Sequence, residues 1–494
     1  MNIQEALTQA DLLSNQKKYA EALPLYEALR NEIPSMPQLH NNLGVAYYHT
    51  GNMEAACQSY QTAMLIAPYM ALPYCNMGMA FNKMERHGEA LAYLTFSLNL
   101  EQTEVAALNL ADTYTKLSNF PMAEGVLKHA LNKNPLSAQL LVNMGTVQWG
   151  LNNAVAALDY FDRALTQRAD IPIARKNIGL INLRAGSYTQ GWAGYEHRFA
   201  ADGLTKGYAP EKEWDGTPGA LCVMTEQGVG DRILHASMLA DLIAANPNFI
   251  WQTDERLIPL LQRSFPKVTF TAQGAPPEDQ YDWFIYAGSL GQHFRAVVGQ
   301  TPGTPYLKAD EGKANSFRAR LPAGKVVGVS WASIGTQFSL SKFAPLNEWK
   351  SVFGVPGVSF VDLQYMATER DREGAPLIHL DDVDAYNDLD TLASLIMACD
   401  IVITISNTTA HLAAALGKET WVLVPDGYGK FWYWGQAGTT PWYGSAKIFR
   451  QAQGEAWSAV LGRVGQELER RYLGGVQLPL SGLGQLTTHQ PSFS

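Results

Sequence analysis

The stretch NNLGVAYYHTGNMEAACQSYQTAMLIAP at residues 41–68 decides the fold, because it returns in altered form at 75–102 as CNMGMAFNKMERHGEALAYLTFSLNLEQ. A small residue recurs with gaps of 34, 34, 33, 34 and 34, at Ala10, Gly44, Gly78, Ala111, Gly145 and Gly179. A second small position keeps the same interval, at Ala22, Ala56, Ala90, Ala123, Ala157 and Gly191. Four positions after it stands a bulky residue: Tyr26, Tyr60, Leu94, Leu127, Phe161 and Tyr195. This pattern predicts pairs of short helices that approach closely at the small residues, with the bulky residues filling the next layer.

The interval and the helix–turn–helix pattern are those of tetratricopeptide repeats (TPR). Prolines close three of the units, at Pro34, Pro68 and Pro135, and the sixth unit degrades into SYTQGWAGYEHRF at 187–199. Terminal repeats are often atypical in this way. We therefore expect an all-α TPR solenoid over residues 1–199.

One polar position keeps phase with the repeats, two residues before the small residue, at Asn42, Asn76, Asn109, Asn143 and Asn177. On stacked repeats these side chains are expected to line the concave surface. A carboxamide both donates and accepts hydrogen bonds, so it can pair with the backbone of an extended peptide without reading its sequence. The row resembles the asparagine ladder of O-GlcNAc transferase, which implies a polypeptide acceptor in the groove. The alternative is that these asparagines only cap neighbouring helices.

Beyond the repeats the pattern changes to alternating strands and helices, which is typical of parallel-sheet α/β domains. A polar connector at 200–219 precedes two predicted Rossmann-like lobes, at 220–312 and 322–452. Apolar strands are expected at ALCVMT (220–225), KVVGVSW (325–331), VSFVDLQ (358–364), IVITIS (401–406) and TWVLVP (420–425). A final helix at 455–473 is expected to cross back over the first lobe, and the tail at 474–494 to be disordered.

The segment SNTTAHLAAALGK at 406–418 ends an apolar strand and opens a helix. Hydroxyls and free backbone N–H groups at a helix start form a natural diphosphate site. The candidate phosphate-binding residues are Ser406, Asn407, Thr408, Thr409 and His411. An ordinary helix cap with a surface histidine is the alternative.

Several segments fall in one order along the chain: EQGVGD (226–231), VGVSWAS (327–333), LQYMATER (363–370), SNTTAHLAAALG (406–417) and TTPWYGSAKIFRQ (439–451). That order resembles bacterial TPR-containing glycosyltransferases, which are related to ADP-heptose transferases and more distantly to O-GlcNAc transferase. The resemblance covers nearly the whole chain and implies a GT-B module. Many relatives carry Asp-Thr-Ser where this chain has Ser406–Thr408, which weakens the transfer of detailed donor contacts.

The resemblance gives two further residues a place on the donor side. GT-B enzymes offset the charge of the departing phosphate with cations and helix starts rather than a metal. Lys342 fits as that cation, and its alternative is a solvated surface lysine. Gln364, after a strand, is expected to meet the nucleoside or to be a turn residue.

Asp231 is the candidate general base, because an acceptor hydroxyl must lose a proton as it attacks the anomeric carbon. The matching Asp of the heptosyltransferase motif has that proposed role, and the alternative is an Asp that only caps a helix. The Asp-x-Asp spellings in DDVDAYNDLD at 381–390 are interpreted as a turn and helix cap, so no metal site is predicted. The aromatic cluster FWYWG at 431–435 is interpreted as packing between the lobes.

Bulk properties agree with this reading. The net charge of −9 argues against a nucleic-acid binder. The four cysteines are scattered, and the start of the chain, MNIQEALTQAD, does not resemble a signal peptide. Both observations favour reduced thiols and a cytoplasmic protein. The resemblance to TPR-containing glycosyltransferases implies that a sugar moves from a nucleotide-sugar, which is a substrate rather than a cofactor, to a hydroxyl of a protein acceptor, with flagellin as the first expectation. The alternatives are a glycan-building transferase and a non-catalytic TPR scaffold.

Overall fold

The computed structural model describes residues 2–274, 278–297, 299–301, 303–333, 342–426, 431–435 and 437–473. The predicted tail at 474–494 lies outside these ranges. The chain forms a helical array followed by two layered units with parallel sheets. No helix within the described ranges is long and apolar enough to cross a membrane.

The helical array consists of six antiparallel helix pairs and one short helix. Their bounds are α1 (Ile3–Asn15), α2 (Tyr19–Glu32), α3 (Pro37–Thr50), α4 (Met53–Ile66), α5 (Ala71–Lys83), α6 (His87–Leu100), α7 (Glu104–Lys116), α8 (Phe120–Lys133), α9 (Ala138–Gly150), α10 (Ala154–Gln167), α11 (Pro172–Ala185), α12 (Tyr188–Tyr195) and α13 (Arg198–Ala201). The predicted all-α repeat array is confirmed.

The repeated small residues work within each pair. A Cβ added at Gly44 would lie 2.5 Å from Tyr60, and one at Gly145 would lie 2.6 Å from Phe161. The bulky residue of the second helix therefore packs on the small residue of its own unit, and it is also buried in one cluster with residues of the next unit, as Tyr60 is with Cys75 and Met77. This close contact explains why both positions keep the 34-residue phase.

The first lobe contains β1 (Leu221–Met224), α14 (Val229–Ala236), α15 (Leu239–Ala245), β2 (Phe249–Thr253), α16 (Ile258–Ser264), β3 (Thr269–Ala272), β4 (Trp283–Tyr286) and α17 (Gly291–Phe294). Its four strands are parallel in the order β3-β2-β1-β4. The central strand β1 is buried throughout, and α14 follows it directly. The start of α14 therefore lies at the carboxyl edge of the sheet, where open parallel sheets bind ligands.

The second lobe contains α18 (Glu311–Arg320), β5 (Lys325–Ser330), α19 (Lys350–Phe353), β6 (Val358–Asp362), α20 (Glu369–Arg372), β7 (Leu377–Ile378), α21 (Leu389–Ala398), β8 (Ile401–Ile405), α22 (Thr408–Ala415), β9 (Thr420–Val424), β10 (Thr439–Thr440), β11 (Tyr443–Arg450) and α23 (Trp457–Leu473). Its sheet has the order β10-β11-β9-β8-β5-β6-β7, and only the β10–β11 pair is antiparallel. Helix α18 packs on α21.

The final helix corrects a prediction. Helix α23 does not cross to the first lobe, because its apolar stripe of Val460, Leu461, Val464 and Leu468 is buried in one cluster with Trp349 and the inward residues of the second sheet. The lobes are joined elsewhere. Arg263 of the first lobe forms a two-point ion pair with Asp390 of the second, and the Tyr306 N–H donates to the Ala415 carbonyl at 3.0 Å.

Candidate active site

The candidate site lies where the start of α14 in the first lobe meets the start of α22 in the second. The approach is very close, because a Cβ added at Gly230 would lie 2.7 Å from Cδ2 of His411. Glycine at this position is therefore a requirement of the packing rather than of backbone conformation. It brings Asp231, the next residue, to the same place as the SNTTAH segment.

Ser406 and Asn407 of that segment are engaged inside the second lobe. Ser406 Oγ accepts a hydrogen bond from Trp434 Nε1 at 2.7 Å. Asn407 is the N-cap of α22, where its Oδ1 accepts from the Ala410 N–H at 3.2 Å and its Nδ2 donates to Ser330 Oγ at 2.8 Å. Both side chains thus shape the helix start and have internal partners there, as the helix-cap alternative describes for Asn407.

Gln364 is an internal connector at the carboxyl end of β5. Its Oε1 accepts from Ser330 Oγ at 2.9 Å, from the Trp331 N–H at 2.9 Å and from the Ala332 N–H at 2.8 Å. Its Nε2 donates to the carbonyl of Tyr365. The carboxamide is buried and satisfied, so its expected contact with a nucleoside stays a prediction.

His411 is buried against aromatic rings. Its Nδ1 lies 2.8 Å from the Tyr443 hydroxyl, and its ring packs at 4.8 Å against Tyr433 and 5.0 Å against Trp434. Burial lowers the pKa of His411 to about 3, so the imidazole is neutral at physiological pH. It can donate or accept a hydrogen bond there, but it does not supply positive charge.

The first turn of α22 keeps unused hydrogen-bonding capacity. Thr409 is fully buried, and its Oγ1 finds no hydrogen-bond partner among the described residues. The N–H groups of Thr408 and Thr409 likewise have no backbone acceptor within the described ranges. These donors lie at the positive end of a helix, where an anionic ligand is stabilised.

Lys342 supplies the positive charge. Its side chain is only 5% exposed, and its Nζ lies 4.5 Å from the centroid of the Phe431 ring. Phe431 stacks on Tyr433, and Tyr433 contacts His411. Through these rings Lys342 lies on the same side of the site as the start of α22. No carboxylate of the described residues lies within 4.0 Å of Lys342. Burial lowers the pKa of Lys342 to about 8, and the attraction of Asp231 opposes this.

Asp231 lies in the first turn of α14 and is half-buried. Burial raises the pKa of Asp231 to about 6, Lys342 acts in the opposite direction, and Glu226 adds to the increase. At neutral pH both Asp231 and Lys342 are therefore charged, and each can exchange a proton close to that pH. A carboxylate with a raised pKa is suited to general-base chemistry.

The aromatic cluster at 431–435 joins more than the two lobes. Trp432 packs edge-on against Trp192 of α12 at 5.3 Å and against Trp442 at 5.2 Å. Trp192 also fills the space over Gly291, where a Cβ would lie 2.4 Å from its ring. The last repeat thus contacts both lobes, which the interpretation of this cluster as interlobe packing did not include.

The asparagine row is only partly free. All five members are half-buried, and three donate to the preceding repeat: Asn42 to Asp11 at 3.1 Å, Asn76 to Asn41 at 2.9 Å and Asn177 to Thr146 at 3.5 Å. Asn109 donates to the Val105 carbonyl of its own helix at 2.8 Å. Asn143 donates to no described residue. The bonds of Asn42, Asn76 and Asn177 join neighbouring units, and pairing of the row with a peptide stays a prediction.

The acidic segment at 381–390 is built from caps and ion pairs. Asp384 accepts from the backbone of Tyr386 and Asn387, and Asp388 is the N-cap of α21. Among the described residues there is no group of three potential ligands that would hold a metal ion.

The comparisons with known proteins match these regions. The tetratricopeptide repeat family matches residues 7–71, 108–172 and 142–191. The protein FlbA of Caulobacter vibrioides is 28% identical over 499 aligned positions, which cover 86% of this chain and 83% of FlbA.

Among solved structures, YrrB, a TPR protein with an unusual peptide-binding site, is 19% identical over 34% of this chain and 88% of its own, with a TM-score of 0.29. TTC0263, a thermophilic TPR protein of Thermus thermophilus, is 20% identical over 37% of this chain and all of its own (100%), with a TM-score of 0.33. The N-terminal region of this chain is an array of tetratricopeptide repeats.

Proposed function

We propose that this chain is a metal-independent GT-B glycosyltransferase that moves a sugar from a nucleotide-sugar to a hydroxyl of a polypeptide. The observation that carries the proposal is Lys342, a buried cation with no carboxylate of the described residues within 4.0 Å. Burying a charge without a partner is costly, so such groups are retained where a ligand completes them. An anionic phosphate group beside the start of α22 is the natural complement.

The chemistry assigns one task to each side of the cleft. Asp231 accepts the proton of the acceptor hydroxyl while its oxygen attacks the anomeric carbon of the sugar. The bond from that carbon to the phosphate oxygen breaks, and the nucleotide leaves with the electron pair. Lys342 and the N–H groups of Thr408 and Thr409 offset the negative charge that develops on the leaving phosphate.

The acceptor side of the proposal rests on the repeats. A groove beside the cleft raises the effective concentration of a bound polypeptide near the reacting atoms. The contacts of α12 with both lobes hold the array at a fixed orientation to the cleft. Flagellin or another surface protein is the acceptor that the family resemblance implies, and the asparagine row is its proposed backbone contact.

One observation favours a non-catalytic scaffold instead. Four of the proposed donor-side side chains, Gln364, Ser406, Asn407 and His411, already have internal hydrogen-bond partners. A scaffold would have no need of a buried Lys342 that has no carboxylate partner among the described residues. A glycan-building transferase would share the cleft and differ only in what the repeats bind.

A thermal-shift screen with UDP, GDP, ADP and CMP tests the donor site. We expect one nucleotide to raise the melting temperature of the wild type, because a ligand at one hundred times its Kd stabilises a protein by about 2.7 kcal/mol. Lys342→Ala should lose most of that increase, and Lys350→Ala, at an exposed position on α19, should keep it. If no nucleotide or nucleotide-sugar binds, the scaffold reading replaces ours.

The acceptor is tested by incubating the protein with flagellin and the sugar form of the nucleotide found in the screen. Intact-mass spectrometry should show the added sugar, with equal yield in the presence of EDTA. Loss of transfer on chelation would contradict the metal-independent mechanism. Transfer to a glycan but not to flagellin would identify a glycan-building enzyme.

A further inference from the structure

The loop that leads to Asp231 is held in place by side chains of the repeat array. Arg198 of α13 is only 3% exposed, and its guanidinium donates to Glu226 Oε1 from both Nε (3.1 Å) and Nη2 (2.9 Å). It also donates to Glu196 at 3.0 Å and to Ser289 Oγ at 2.9 Å. The first residue of the EQGVGD loop is therefore anchored by a buried arginine that lies outside the first lobe.

The second residue of the loop is anchored in the same way. The Tyr195 hydroxyl at the end of α12 lies 2.9 Å from Oε1 and 2.7 Å from Nε2 of Gln227. Gln227 has a φ of +67°, a left-handed conformation that residues with a Cβ rarely adopt. Such a conformation persists when its surroundings enforce it, and here the array supplies part of that enforcement.

The close packing around Glu226 leaves its carboxylate no space for another position. A Cβ added at Gly288 would lie 2.4 Å from Glu226 Oε1 and 3.3 Å from Arg198 Nη2. Glu226 Oε2 is buried and accepts no hydrogen bond from any residue the structure describes. One carboxylate oxygen thus takes both bonds from Arg198, and the other has no donor among the described residues.

The charge of Glu226 acts on Asp231. The groups around Asp231 include Glu226 and Arg232 from its own loop and helix, Lys342 and Tyr433 from the second lobe, Tyr443 of β11 and Tyr195 of the array. Glu226 raises the pKa of Asp231, and Lys342 lowers it. Burial raises the pKa of Glu226 and Arg198 opposes this increase, so Arg198 favours the ionised form of Glu226.

We propose that the repeat array is part of the catalytic machinery: Arg198 is a positioning residue that holds Glu226 ionised in the loop of Asp231, and this pair fixes the place and the charge environment of the base. The inference rests on the proposed function for the role of Asp231 as a base. The link between Arg198, Glu226 and Asp231 does not depend on it.

The titration of Asp231 tests the link without any substrate. Its midpoint is obtained from the pH dependence of the difference in unfolding free energy between a protein and its Asp231→Asn variant. Glu226→Gln keeps an oxygen that accepts from Arg198 but removes the charge. We expect the midpoint to fall by about 0.5 to 1 pH unit in this background. Glu89→Gln, which alters an exposed pair with Arg86 on α6, is the matched control and should leave the midpoint unchanged.

A second variant keeps the test independent of Glu226→Gln folding. Arg198→Lys retains the charge but loses the planar two-point contact. With flagellin as acceptor, we expect kcat to fall about tenfold while the KM for flagellin is unchanged, and Arg163→Lys on the exposed face of α10 should have no effect.

An unchanged Asp231 midpoint in Glu226→Gln, or wild-type kcat in Arg198→Lys, would overturn the inference. A protein that transfers no sugar but shows the midpoint shift would overturn the proposed function and leave the link intact.

Discussion

Replacing Asp231 by Asn should stabilise the protein, and by more at high pH than at low pH. Burial raises the pKa of Asp231 from 3.8 to about 6, so the ionised form is destabilised in the folded state relative to the unfolded chain. The folded protein therefore gains stability as the pH falls through 6, where Asp231 takes up a proton before the unfolded chain does. Asn has a similar shape and carries no charge, so it removes this pH dependence.

The magnitude follows from the two pKa values. Their difference corresponds to a destabilisation of about 3 kcal/mol at pH 8, where Asp231 is ionised in both states. At pH 5 the folded carboxyl is mostly protonated, and the destabilisation is roughly half of that at pH 8. The advantage of Asp231→Asn over the wild type should therefore grow by roughly 1 to 2 kcal/mol between pH 5 and pH 8.

The assay is thermal unfolding of both proteins at the two pH values. For a cooperative unit of about 200 residues, 1 kcal/mol shifts the melting temperature by about 2–4 °C. We expect the difference in melting temperature to increase by about 2–8 °C from pH 5 to pH 8. Asp162→Asn, at an exposed position on α10, is the matched control and should show the same difference at both pH values. An Asp231→Asn variant that behaves like this control would refute the reasoning.

Three other outcomes are expected. Transfer activity should be greatest between pH 6 and pH 8. Asp231 must be ionised, which requires a pH above about 6, and Lys342 must be protonated, which requires a pH below about 8. A transfer rate that stays constant from pH 5 to pH 9 would exclude these two groups from catalysis. Gly145→Ala should destabilise the array, because the new Cβ would lie 2.6 Å from Phe161. Gly125→Ala, whose new Cβ has nothing within 4 Å, should stabilise the array by about 0.5–1 kcal/mol. Equal melting temperatures of the two variants would contradict this. Replacing Asn76, Asn109 and Asn143 together by alanine should weaken flagellin binding by about 1.5–4.5 kcal/mol and leave nucleotide binding unchanged. Fluorescence anisotropy measures the flagellin affinity, and an unaltered affinity would remove the asparagine row from the acceptor site.

The sequence predicts the array well because the information is local and repeated. The contact between Gly44 and Tyr60 has counterparts in other units at the same interval, so a chance substitution in one unit does not hide the repeat pattern. Strands β5, β8 and β9 are also predicted, because a buried parallel strand is apolar along its whole length. Helix α18 is missed because its exposed face is polar and one buried residue, Phe317, carries most of its packing.

The site is harder to predict, because its electrostatics depend on residues far apart in the chain. Nothing in the sequence near Glu226 shows that Arg198 bonds to it, or that Trp434 donates to Ser406 across 28 residues. The family resemblance points to Lys342 and Asp231, and their roles stay predictions. It does not show that Gln364 and Asn407 are already satisfied, because the partners of a carboxamide are set by tertiary packing.

The contacts of Trp192 also limit how this protein can change its length. The sixth unit is fixed to both lobes by Trp192, Gly291 and Trp432, whereas the first unit packs on the second through α2 and α3. A solenoid is stabilised by contacts between adjacent units, so a unit gained or lost at the amino-terminal end disturbs a single junction. A unit inserted just before the sixth would instead rotate every earlier unit away from the cleft. Variation in repeat number is therefore tolerated at the amino-terminal end and restricted at the end that meets the lobes.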